Sequence, residues 1–138
     1  MRPQGLRLAI LVLEIAGLGI AVYLTSVHYA HTTPICTSGG CEKVQHSSYA
    51  MLAGIPVAVL GLAGYLLMIG AVLARGAVAV LLGVFLAVVG ASLSGYLLWA
   101  QLARIHAICI WCVGNDVVMA LLAVLCSARF LSEPQRTT

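Results

Sequence analysis

Residues 107–130 read AICIWCVGNDVVMALLAVLCSARF. Two patterns overlap here. The run is apolar apart from Asn115, Asp116, Ser127 and Arg129. A bilayer core of about 30 Å is crossed by roughly 20 such residues in a helix. The run also opens with Cys109-Ile-Trp111-Cys112, a C-x-x-C pair. This stretch therefore reads as a membrane helix carrying a dithiol at its start. Spacing i, i+3 puts both sulfurs on one helix face. The partial positive charge of a helix N-terminus favours thiolate, the species that attacks disulfides.

Working outward, three more stretches are long and apolar enough to span. They run from about Leu6 to Tyr29, Ile55 to Leu73 and Ala77 to Trp99, with the fourth from about Ala107 to Phe130. The composition agrees. Apolar residues make up 62% of the 138 and charged residues 8%, whereas soluble domains run near 45–50% and about 25%. The expected fold is an all-α integral membrane protein, a four-transmembrane-helix bundle in one domain, 1–138. The first stretch is longer than a signal peptide's apolar core and no small-x-small site follows it, so it is read as a retained helix. The net charge of +3 comes from scattered cations, which is no footprint for nucleic acid.

The connections are uneven. Arg75-Gly76 reads as a tight turn, and Gln101 to His106 as a short link. Only His31 to Gly54, between helices one and two, is long, and long loops in compact proteins are usually functional. Pro56 suits the first position of the second helix. The cations set the orientation. With both termini cytoplasmic, Arg2, Arg7, Arg75, Arg129 and Arg136 lie inside, and Lys43 and Arg104 outside. Tyr29, Tyr49, Tyr96, Trp99 and Trp111 then fall near the outer boundary. The expected location is the cell's inner (plasma) membrane, multi-pass, with the long loop and the start of helix four on the outer, oxidising face.

The long loop carries a second pair, Cys36-Thr-Ser-Gly39-Gly40-Cys41. The two glycines let a small ring close and reopen. A movable dithiol beside a fixed one suits relay by thiol–disulfide exchange. Two structural disulfides are the bland alternative. Zinc is disfavoured by the compartment and by the membrane-embedded pair, so no metal is expected. Cys126 stands alone in an apolar run and reads as a buried hydrophobe.

The set Cys36-x4-Cys41-Glu-Lys-Val, Ser47, Gly54-Ile55-Pro56-Val57, Gly61 and Cys109-x-x-Cys112 resembles the vitamin K epoxide reductase family in its bacterial, stand-alone form. The resemblance spans about Tyr23 to Met119. It implies a four-helix bundle around a membrane quinone (menaquinone, ubiquinone or phylloquinone). It implies a thiol:quinone oxidoreductase that reoxidises a thioredoxin-like, DsbA-type disulfide-forming protein. Cys36 would exchange with that partner. Cys41 would pass electrons to Cys109, and Cys112 would face the quinone. Ser47 matches the family's serine near the quinone. Some relatives carry a fused thioredoxin-like domain; here the partner is expected to be a separate extracytoplasmic protein. The DsbB-type quinone reductases place their C-x-x-C in the first outer loop, the reverse of the order here. The rival function is a disulfide-stapled membrane subunit or transporter without turnover.

Several other residues carry two readings. Asp116 lies one turn below Cys112, where a carboxylate is expensive and usually faces the bundle interior. It, or Asn115, is a candidate to bond a quinone carbonyl or move a proton; a structural interhelical bond is the alternative. Trp111 is a candidate wall of the quinone pocket or an interfacial belt residue. His106 is a candidate to stabilise the thiolate, against an ordinary interfacial histidine, and His46, beside Ser47, carries the same two readings. Glu14 reads as structural or partly hydrated.

Overall fold

A computed structural model describes residues 3–30, 43, 48, 51–52 and 54–132. Among these residues lie four long helices: α1 (Pro3–Tyr29), α2 (Val57–Leu73), α3 (Ala77–Ala100) and α4 (Ile110–Ser132). At about 1.5 Å per residue, α1, α3 and α4 each outreach the ~30 Å hydrocarbon core. The spans Gln4–Tyr29, Ala77–Ile105 and Ile110–Ser132 are long and apolar enough to cross a membrane; α2 is apolar and shorter. A two-strand hairpin, β1 (Met51–Leu52) with β2 (Ile55–Pro56), leads directly into α2. Gly54 turns it at φ 81°, a conformation few other residues take without strain.

The helices form a ring. α1 packs between α2 and α4, and α3 closes the ring against both. Large apolar side chains such as Leu8, Leu66, Phe85 and Val124 point outward, as expected of a surface solvated by lipid. The interior holds Ile10, Tyr65, Met68, Ala87 and Leu122, with Cys126 among them. Cys126 is thus a packed core residue.

Two contacts fix the end opposite the C-x-x-C. The Arg7 guanidinium donates to the Val72 carbonyl at 2.9 and 3.3 Å. It satisfies one of the carbonyls that the C-terminus of α2 leaves without an intrahelical partner. Glu14 and Arg129 are both buried, and the charges of α1 and α4 act on each other there. Glu14 is therefore an interior residue of the bundle, consistent with the rule that intramembrane charges face inward.

Two boundaries depart from the expectation. Pro56 precedes α2 by one residue instead of starting it, with ψ 135° in the extended range. The last helix begins at Ile110, not Ala107, because the preceding link has its own structure. Past Ala100 the chain widens into a π-helical turn, Gln101–Ile105. His106 then reverses the chain at φ 57°, in the left-handed cap position where helices often end.

Candidate functional site

Gln101 organises the link that carries the C-x-x-C. Its backbone carbonyl accepts the N–H groups of His106 and, at 3.1 Å, Ala107. Its side-chain Oε1 accepts the N–H of Cys109 at 2.8 Å. The Cys109 carbonyl in turn accepts the Val113 N–H at 2.9 Å, the first bond of α4. Cys109 is thus the cap residue of α4, held at both of its backbone polar groups. It is fully buried, packed with Ile105, and Ala107, Trp111 and Cys112 lie against that pair. Cys112 sits in the first turn and is half-buried.

Cys112 lines an interior cavity of about 340 Å³ to which all four helices contribute. That is the lower range of small-molecule sites. Most of its wall is apolar, including Ala21, Leu24, Leu60, Met68, Leu86 and Met119. The polar groups gather where α3 ends and α4 begins: Ser94, Gln101, Asn115 and Asp116. Asp116 receives a hydrogen bond from Ser94 across the α3–α4 seam. Asn115 accepts a hydrogen bond from Tyr65 of α2. Two buried polar atoms in this wall, Asp116 Oδ2 and Gln101 Nε2, have no partner among the described residues. Buried polar groups are rarely left so. An apolar cavity with unmatched polar atoms beside a cysteine fits an apolar ring bearing oxygen atoms, which is the chemistry of a quinone.

Tyr65 reaches Asn115 because Gly17 of α1 leaves room for its ring. A Cβ at Gly17 would overlap the ring's far edge. Tyr65 is fully buried, so the ring has nowhere to retreat.

Of the residues singled out in the sequence, Cys109, Cys112, Asn115 and Asp116 meet at one end of the bundle. Cys112, Asn115 and Asp116 line the cavity and Cys109 packs behind it. Trp111 is not in the cavity wall. Its ring lies against Tyr23 of α1, with centroids 4.7 Å apart, a placement that braces α4 on α1. His106 is exposed and serves as the chain reversal. Cys36, Cys41, His46 and Ser47 lie outside the described residues. Tyr65, Ser94 and Gln101 were not singled out by the sequence reading. Ser94 and Gln101 did carry a signal, as polar residues interrupting or ending an apolar run. Tyr65 carried none, since an aromatic in a membrane helix reads as packing.

The model of the vitamin K epoxide reductase family matches residues 8–127. No curated protein matches the chain as a relative. The family's activity is in general terms that of membrane thiol–quinone oxidoreductases, and the apolar helices make this chain a multi-pass membrane protein. The matched stretch takes in the cavity's four walls and the C-x-x-C, and the chain belongs to the vitamin K epoxide reductase family.

Proposed function

We propose that the protein moves electrons from the thiols of a separate thioredoxin-like, disulfide-forming protein to a membrane quinone, through two cysteine pairs in series. The observation that carries this reading is Cys112 in the wall of an apolar cavity, one helical turn from Asp116. Cys36 exchanges with the partner's dithiol. Cys41 then reduces the Cys109–Cys112 disulfide by attack on Cys109. A bound quinone supplies the electron sink, taking two electrons and two protons as the Cys109 and Cys112 thiols close to a disulfide.

The residues of the chain do the rest. Gln101 and the first turn of α4 hold Cys109 in place, so the pair opens and closes without moving the backbone. Cys112 presents its sulfur to the cavity. Asn115, its oxygen occupied by Tyr65, is left with amide hydrogens to offer to an oxygen acceptor. Asp116 accepts a hydrogen bond from Ser94, and its Oδ2, without a partner among the described residues, is the atom that would pass a proton into the cavity. The apolar walls keep bulk water from the dithiol. Ser47 is assigned to the quinone site by its match to the family's serine. Both termini face the cytoplasm and the cysteine pairs face outward, an orientation supported by the five-to-two split of the cations.

The test is turnover by purified protein with a dithiol donor and a soluble naphthoquinone. Quinol should form in proportion to thiol consumed. Asp116→Asn should slow it by about 10²-fold, the lower range for loss of a general acid. Alkylation of the reduced Cys109/Cys112 pair should stay at the native rate. Absence of quinol formation in folded protein, or full activity in Asp116→Asn, contradicts the assignment.

A further inference from the structure

Gln101 is 1% exposed, and its two polar ends have different surroundings. Oε1 accepts the Cys109 N–H at 2.8 Å. In a carboxamide only the oxygen accepts, so this bond fixes which way the group is turned. Nε2 is the end turned away from the Cys109 N–H. It is buried, and no described residue accepts from it. Gln101 nonetheless lines the cavity that Cys112, Asn115 and Asp116 share. A buried donor with no acceptor is costly, and folded proteins rarely keep one. The cavity that Gln101 borders is where an acceptor for Nε2 would come from.

We propose that Gln101 is a second-carbonyl anchor: its Nε2 donates a hydrogen bond to a ligand carbonyl oxygen while its Oε1 holds the backbone of Cys109. The ligand is the quinone of the preceding reading, on which this inference rests. Asn115 and Asp116 are neighbours on α4, and Gln101 lies at the end of α3. The two helices therefore offer oxygen-binding groups from separate walls, as a ring with two carbonyls requires. The same amide ties the ring's position to that of the dithiol, because one planar group contacts both.

The test uses full-length protein and 2-methyl-1,4-naphthoquinone carrying ¹³C at both carbonyls. Isotope-edited infrared spectra read each carbonyl stretch. In the native protein both bands should lie below their positions in lipid. In Gln101→Met, which keeps the length and loses the donor, one band should return to its lipid position. Affinity for the naphthoquinone should fall about tenfold, the change expected for one lost hydrogen bond. Unchanged bands and affinity in folded Gln101→Met overturn the inference. If that variant does not fold, unmodified protein with ¹⁵N-labelled glutamine side chains answers the same question. A solid-state dipolar contact between a glutamine side-chain nitrogen and a labelled carbonyl is expected, and its absence overturns the inference. Native protein that binds the naphthoquinone without that contact removes Gln101 alone. Native protein that does not bind it removes the quinone reading as well.

Discussion

Tyr65 of α2 donates its hydroxyl hydrogen to the side-chain oxygen of Asn115 on α4, joining two helices that are not neighbours in the ring. The bond engages the Asn115 oxygen and so turns the amide nitrogen away from Tyr65. A packing residue thereby sets the polarity of the cavity wall.

Tyr65→Phe tests that link. The ring stays and the donor goes, leaving the Asn115 oxygen unmatched. The expected cost is about 0.5–2 kcal/mol, since hydrogen bonds within membrane proteins average at the low end of the usual range. Naphthoquinone affinity should weaken in parallel, because Asn115 is then free to rotate. Thermal unfolding and a quinone titration measure the two effects. Native stability together with native affinity would show that the bond orients nothing.

Three glycines should rank by what a methyl group meets. At Gly17 it overlaps the buried Tyr65 ring. At Gly90 it comes within 2.7 Å of the Met119 sulfur, and a methionine side chain adapts. At Gly61 the nearest atom is the Ala21 Cβ at 3.9 Å, an ordinary contact. Gly17→Ala should cost roughly 1–3 kcal/mol, the range for overpacking a filled interior. Gly90→Ala should cost less, and Gly61→Ala least. Thermal unfolding in detergent gives the order, and a Gly17→Ala protein as stable as Gly61→Ala would contradict the packing described.

The orientation has a direct readout. An impermeant thiol reagent applied to reduced, intact cells should label Cys36 or Cys41 and leave Cys126 untouched. Cys126 is buried in the core, so Cys126→Ala should also keep activity within a few-fold of native. Loop cysteines that stay unlabelled in intact cells and react only after permeabilisation would invert the topology and move the cysteine pairs to the other compartment.

The bundle was legible in the sequence because each helix is written as a long, mostly apolar run. The dithiol was legible because C-x-x-C is a spacing with its own chemistry. Asn115 and Asp116 stood out because polar residues within a membrane helix are expensive. The start of α4 was misplaced by three residues for a physical reason. A side chain in the preceding helix, Gln101, takes the Cys109 N–H, and hydrophobic periodicity does not register a tertiary hydrogen bond. Trp111 illustrates the same limit. Its position within the C-x-x-C placed it near the cavity, but which way its ring turns depends on Tyr23, far away in the chain. Tyr65 depends on the space at Gly17, a complementarity that neither residue announces alone.

The relay itself is tested most directly by trapping its middle step. In a Cys36→Ser, Cys112→Ser double variant, Cys41 keeps its target and Cys109 loses the thiol that would resolve the bond. Cys109 is fixed at the start of α4 by Gln101 and Val113. The loop cysteine must come to it, with Cα atoms within about 7 Å. Under mild oxidation the account predicts a Cys41–Cys109 disulfide, read by non-reducing peptide mapping of membrane-inserted protein. Cys41 and Cys109 both recovered as thiols from correctly inserted protein would contradict the relay and leave two structural pairs in its place.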